Sequence, residues 1–250
     1  MESNGKKELS RSVENAIRLI ECYSDKEERG ISELARELDL SKASVARIVA
    51  ALEKGKFLMQ NAETGKYRLG ISMMLYGYLA WERNELANAL APAMRDIAQK
   101  YQCTTHLAIL SGNELMIINK VSAGPFVYMT SRIGGTLLAH ATAAGKCILA
   151  YLDVDRQQEY ISNAKLEKLT DNTITDKDSL VLELRTIKER GYSVDNEESH
   201  EGLYCIAVPV FNISNRPIAA VSVSGRKELL ASKQDEIVGY LNSTIKKHLI

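Results

Sequence analysis

The stretch from Ile31 to Lys56 reads I-S-E-L-A-R-E-L-D-L-S-K-A-S-V-A-R-I-V-A-A-L-E-K-G-K. Ile31, Leu34, Ala35 and Leu38 recur at i, i+3, i+4 and i+7, and so do Val45, Ile48, Val49 and Leu52, which predicts two short amphipathic helices. Only Asp39-Leu40-Ser41 separates them, so the pair is a helix-turn-helix. Ser41 suits an N-cap, because its hydroxyl can accept from the backbone N–H near Ser44. With the apolar side of the second helix turned inward, Ala43, Ala46, Arg47 and Ala50 fall on or beside the outward face, and Lys42 and Ser44 sit at its start. Small alanines let a helix approach base edges in a major groove. Arg47 can bond guanine bidentately, while Ser41, Lys42 and Ser44 can hold phosphates. Spacing alone also fits a small helical hairpin with a solvated face, so the flanking sequence has to decide.

Val13, Ala16, Ile17 and Ile20 form an apolar stripe upstream, predicting a first helix from about Ser12 to Tyr23, with Asp25 to Gly30 as a loop. Downstream, F-L-M-Q and G-K-Y-R-L flank N-A-E-T, a pattern of two short strands and a turn. That hairpin is a wing. Lys66 and Arg68 alternate onto one face of its second strand, where they can track phosphate, and Tyr67 and Leu69 onto the other. The chain is neutral overall, with 32 basic and 32 acidic residues, so no global field draws it to nucleic acid or lipid. Between Ser41 and Arg68, however, the net charge is +4, and between Asp171 and Glu201 it is −5. A basic reading region on a neutral chain fits a site-specific DNA binder, as it also fits a solvated face.

A length of 250 residues with 45% apolar and 26% charged residues is that of a soluble globular protein, best divided in two. We expect a winged helix-turn-helix over 10–70, a linking helix over 71–91 and a second domain over 92–250. The linking helix is rich in Met, Leu, Tyr and Ala around Trp81, and Pro92 should break it. So apolar a helix needs a partner, either the same helix of another subunit or its own second domain. Past Cys103 the period shortens. T-H-L-A-I-L and E-L-M-I-I-N-K-V read as a hairpin around Ser111-Gly112-Asn113, and Phe126 to Thr130 as a strand. Helices follow from about His140 to Leu152, in polar pieces to Asn163, and from Asp176 to Arg190 with Thr175 and Asp178 as its cap and Gly191 as its stop. Strands Tyr192–Asp195, Tyr204–Phe211 and Ile218–Ser224 and a helix from Ser232 complete an α+β domain on a largely antiparallel sheet.

Cys22, Cys103, Cys147 and Cys205 form no C-x-x-C pair and have no histidine at ligand spacing, so neither a metal site nor a disulfide framework is expected. The N-terminus leads into no apolar h-region and no run approaches ~18 apolar residues. We expect a cytoplasmic protein without cofactor or membrane contact.

Several strings together resemble the IclR family of bacterial transcriptional regulators. They are S-V-E-N-A-I-R-L-I at Ser12, I-S-E-L-A-R-E-L-D-L-S-K-A-S-V-A-R-I at Ile31, E-T-G-K-Y-R-L-G at Glu63, L-A-H-A-T-A-A-G-K at Leu138, G-Y-S-V-D-N-E-E at Gly191, G-L-Y-C-I-A-V-P-V at Gly202 and S-V-S-G at Ser222. The resemblance implies a winged helix-turn-helix, a linking helix and a GAF-like α+β effector-binding domain. It also implies dimers or tetramers on operator DNA with an inverted repeat. One departure is Lys42-Ala43-Ser44, where similar proteins have Lys-Ser-Thr; contact of Ala43 with a thymine methyl can replace the lost hydroxyl.

Carried over by motif, the effector pocket comprises Ala143, Ala144, Asp195, Cys205, Ser222 and Ser224, with Met129 and Leu203 as apolar walls. Backbone N–H groups before Gly145 and the alternating Ser222 and Ser224 hydroxyls can hold a carboxylate, and Asp195 can accept from a ligand hydroxyl. These residues imply a small hydroxy-, keto- or sugar-acid effector, and the resemblance implies a ligand-responsive regulator, a repressor of a catabolic operon. Without the resemblance, Cys205 is by default a small core residue, His140 a satisfied buried histidine and the serines ordinary strand residues. The alternative is an enzyme with Cys205 as nucleophile, His140 or His200 as base and Asp195 as orienter. A phosphate-loop reading of Gly145-Lys146 fails, because His140 replaces the required glycine and Cys147 the magnesium-binding hydroxyl.

Overall fold

The computed structural model describes residues 10–124 and 131–249. The chain divides into two compact units, one ending at Asn84 and the other beginning at Glu85. The first holds α1 (Arg11–Glu21), α2 (Ile31–Leu38), α3 (Lys42–Lys54), the antiparallel strands β1 (Leu58–Gln60) and β2 (Tyr67–Leu69), and α4 (Ile71–Glu82). Its core gathers Leu19, Leu34, Leu38, Val45, Val49, Leu58 and Tyr67. Between α2 and α3 the chain reverses through Asp39 at φ 53°, and the amide of Leu40 returns to the carbonyl of Ala35. A short polar side chain tolerates that left-handed conformation.

The stripe expected on α1 is corrected. Ala16, Leu19, Ile20 and Tyr23 obey the same i, i+3, i+4, i+7 rule as Val13, Ala16, Ile17 and Ile20; Leu19 and Tyr23, with Cys22, lie in the core, and Ala16 and Ile20 are partly buried. Val13 and Ile17 are left 58% and 53% exposed. The linking helix is corrected too, since α4 ends at Glu82 in a tightened turn, with the amide of Asn84 on the carbonyl of Trp81. A second helix, α5 (Glu85–Tyr101), then runs straight through Pro92. Its buried residues Ala87, Leu90, Ala93, Met94, Ile97 and Ala98 flank the proline on both sides. Their burial, at roughly 1.5–3 kcal/mol for each large side chain, outweighs the ~3 kcal/mol that an interior proline costs. Gly70 starts α4 because a Cβ there would meet the Lys56 carbonyl oxygen at 2.3 Å.

The second unit continues with β3 (Thr104–Ser111), β4 (Glu114–Ser122), β5 (Thr136–Leu138), α6 (Ala143–Tyr151), α7 (Val154–Asn163), α8 (Lys177–Arg190), β6 (Ser193–Asn196), β7 (Leu203–Phe211), β8 (Pro217–Arg226), α9 (Lys227–Leu230) and α10 (Gln234–Leu249). Among the described residues its sheet runs β5-β4-β3-β8-β7-β6, with antiparallel neighbours throughout. The expected strand Phe126–Thr130 lies outside the described residues. Along β7 and β8, Tyr204, Ile206, Val208, Val221 and Val223 face α5 and α10. Small residues such as Cys205, Ala207 and Ala220 face α6 and α8. That asymmetry leaves room for a cavity on the second face.

Two helix starts differ from expectation. Thr142 begins α6, its hydroxyl accepting from the Gly145 amide, so Ala139–Ala141 form a separate 3-10 turn. Asp176, rather than Thr175, caps α8 by accepting from the Ser179 amide. The chain leaves α8 through Gly191 at φ 84°, as a left-handed stop requires. No helix among the described residues is long and apolar enough to cross a membrane.

Candidate ligand pocket and nucleic-acid interface

On α3, Lys42, Ala43, Arg47 and Ala50 are exposed, and Ser44 and Ala46 are partly so. Ser41 works as the cap, its Oγ 3.1 Å from the Ser44 amide and 2.9 Å from the Ser44 hydroxyl. Arg68 is exposed on β2, whereas the Lys66 ammonium turns back to Glu33 at 3.5 Å. Glu33 also accepts from the Gly30 amide, and that backbone bond is the main reason its carboxyl is held down to about 2. The sequence reading missed Arg29. Its buried guanidinium pairs with Glu37 and Asp25 and reaches the Cys22 carbonyl, while its backbone pairs with Tyr67, so it ties the wing to α1 and α2. No periodicity signals a loop arginine of this kind.

In the second unit, Ala143, Ala144, Asp195, Leu203, Cys205, Ser222 and Ser224 line one cavity of about 110 Å³. That is several-fold the ~10–15 Å³ a single water needs. Met129 lies outside the described residues. Strand register explains the convergence, because Asp195 pairs with Cys205, Cys205 with Ser224 and Ser224 with Thr104, all in one row across the sheet. One row further, Ser222 pairs with His106. Above them stands the start of α6, where the amides of Ala143 and Ala144 precede the first helical hydrogen bond and have no partner in the helix. Gly145 lets α6 lie so close, since a Cβ there would meet the Ala139 carbonyl oxygen at 2.2 Å.

Asp195 is fully buried and accepts from the amides of Glu198 at 2.7 Å and Ser199 at 3.2 Å and from the Ser199 hydroxyl. Burial pushes its carboxyl up, and those three donors pull against the shift. In this state the carboxylate holds the turn over 195–199 rather than standing free. Burial, with Asp195 beside it, also raises the Cys205 thiol well above its ordinary value. His140 turns to the Glu167 carbonyl at 3.1 Å, and His200 is exposed near the carbonyl of Glu201 at 3.1 Å. Among the described residues no activated thiolate with its base is assembled around Cys205.

In this second unit the sequence reading missed two further residues, Lys146 and His106. Lys146 is 1% exposed and pairs with Glu198 and, at 3.6 Å, with Glu183. The lysine that ended the phosphate-loop pattern is therefore an internal strut. His106 is also 1% exposed, with Nε2 3.0 Å from the Ser131 hydroxyl and Nδ1 3.4 Å from that of Ser224. Alternation of T-H-L-A with S-V-S across the sheet was the available signal.

A family model described as the IclR helix-turn-helix domain matches residues 12–62, and one described as the bacterial transcriptional regulator IclR C-terminal matches residues 79–247. The chain belongs to the IclR family. It is 31% identical over 217 residues to the transcriptional regulator XynR of Escherichia coli K12, covering 86% of each chain. To KdgR of the same organism it is 32% identical over 213 residues, covering 85% of this chain and 81% of KdgR. The crystal structure of Thermotoga maritima IclR superimposes with a TM-score of 0.80 at 28% identity, covering 95% of this chain and 96% of that one. IclR-family proteins are DNA-binding transcription factors and not enzymes, which agrees with the inert setting of Cys205.

Proposed function

We propose that this IclR-family regulator represses a catabolic operon by binding an inverted-repeat operator as a homodimer or tetramer in the cytoplasm, and that a small hydroxy-, keto- or sugar acid releases it. The observation that carries the acid is the start of α6. The Ala143 and Ala144 amides have no partner in the helix, and both residues line the cavity together with Ser222, an anion site that needs no buried counter-cation. The Ser222 hydroxyl, unlike that of Ser224, bonds no side chain among the described residues, which suits a hydroxyl kept for ligand. Arg47 would read a base and Lys42, Ser44 and Arg68 the backbone. The oligomer is supported by α4, on which no residue is buried and Met74 and Trp81 are 72% and 43% exposed, and by the outward Val13 and Ile17.

Selection and sequencing of genomic fragments bound at near-physiological salt tests the reading. Enrichment of a short inverted repeat is expected. Binding without enrichment that vanishes as salt rises would leave only the phosphate electrostatics.

A further inference from the structure

The cavity has a second polar end that the acid site does not use. His106 projects from β3 onto the same face as Ala108 by strand alternation, while an extra residue in β4, opposite Leu107 and Ala108, resets the pairing there. Before the bulge His106 stands opposite Lys120, and after it Ala108 stands opposite Ile117. Ile117 and Leu115 thus become apolar wall while Lys120 stays at the rim, its ammonium 2.8 Å from the Ser131 carbonyl. That bond fixes Ser131 where its hydroxyl meets His106 Nε2.

A neutral imidazole has one nitrogen that donates and one that accepts. Whichever tautomer is present, one of the two serines accepts from the ring and keeps its own hydrogen to give away. The other donates to the ring and keeps its lone pairs. Ser131 and Ser224 therefore offer the cavity one donor and one acceptor. A hydroxyl satisfies both and a carbonyl satisfies the donor. A carboxylate only accepts, so it would leave the other serine's lone pairs facing its charge.

We propose that Ser131, His106 and Ser224 form a subsite that takes an uncharged hydroxyl or carbonyl of the effector acid and turns away a second carboxylate. His106 is the specificity-determining residue of this subsite. The proposal rests on the acid-effector reading, with the first carboxylate at the start of α6. Titratable and charged groups around His106 leave its role unchanged. Lys120 on β4 opposes a second positive charge, while Asp195 on β6 is taken up by its three donors and Cys205 on β7 is a neutral thiol. Burial, followed by Lys120, pushes His106 down to about 3, so the ring stays neutral at physiological pH.

Calorimetric titration of the full chain with two series of acids tests the subsite. One series is 4-hydroxybenzoate, benzoate and terephthalate; the other is 4-hydroxybutanoate, butanoate and succinate. In the series that fits the cavity, the hydroxy acid should bind about tenfold or more tighter than its deoxy partner, and the dicarboxylate weakest, because a site built to bond a hydroxyl leaves its polar groups unpaired without one. His106→Phe should bring the hydroxy and deoxy acids within about twofold of each other while leaving the deoxy acid's affinity unchanged, and Ser131→Ala should lose part of the same preference. Equal weakening of both acids in His106→Phe and Ser131→Ala, or a dicarboxylate that binds the wild type as well as the hydroxy acid, would overturn the subsite alone. Heat from none of the six acids would overturn the acid-effector reading together with it.

Discussion

The ammonium of Lys146, the fourth residue of α6, lies against the Glu198 carboxylate with both side chains out of water. Glu198 in turn gives its amide to Asp195, so one buried ion pair spans from the helix that starts at the cavity to the turn that closes it. Burial pushes the Glu198 carboxyl up and Lys146 is the main influence holding it down.

Breaking that pair should be costly. Lys146→Met is expected to destabilise the second unit by about 3–5 kcal/mol, because it leaves a buried carboxylate without its cation. The double variant Lys146→Met/Glu198→Leu should recover much of the loss, since apolar replacement of a whole buried pair is often neutral. Urea unfolding followed by circular dichroism reads both, and a double variant no better than the single would contradict the account.

His106 gives the stability of the domain a signed pH dependence. Its folded pKa, about 3, lies below the ordinary 6.5, so between those values the unfolded chain binds one proton more. The stability His106 contributes is fully present above 6.5 and is lost as pH falls through that window, at up to about 1.4 kcal/mol per pH unit. The difference between wild type and His106→Phe should therefore shrink from pH 7 to pH 5. A difference that stays constant would show that His106 is not buried neutral.

Arg47 and Arg29 should separate recognition from architecture. Arg47 is exposed and outside any ion pair among the described residues, so Arg47→Ala should change stability by no more than about 0.5 kcal/mol while costing about 1–3 kcal/mol of discrimination at one operator position. Arg29→Ala should lower the melting temperature and weaken binding to all DNA together, because the wing loses its tie to α1 and α2. Anisotropy on operator and scrambled duplexes, beside thermal unfolding, distinguishes the two patterns.

Gly145→Ala tests the close approach over the cavity. The added Cβ would strike backbone, which has no rotamer to yield, so a loss of about 1–3 kcal/mol or more is expected by calorimetric unfolding. An unchanged melting temperature would mean that α6 does not press on Ala139.

Elements with a strong period were legible in the sequence. The helices around Asp39, the wing and the long strands came from spacing and turn chemistry, and the family strings fixed which small residues to seek in the second unit. Spacing misled where two stripes obey one rule, as on α1, and where burial overrides a local breaker, as at Pro92. The start of α6 was legible only approximately, and the cap of α8 slipped because the neighbouring Thr175 and Asp176 compete for the same end. Asp195 was legible as a cavity residue but not as one already satisfied, since its three donors come from the turn that follows it. His106, Lys146 and Arg29 depend on partners 25 or more, 52 and 8 positions away, a kind of pairing that no local pattern carries.

The central claim, that the cavity controls DNA binding, is tested most directly by titrating the selected operator complex with the acid that binds, for the wild type and for Ser222→Leu, which fills the cavity. The account predicts that the acid releases DNA from the wild type and leaves the Ser222→Leu complex intact, with equal operator affinity for both proteins before acid is added. Release of both proteins at the same acid concentration, or of neither, would contradict it.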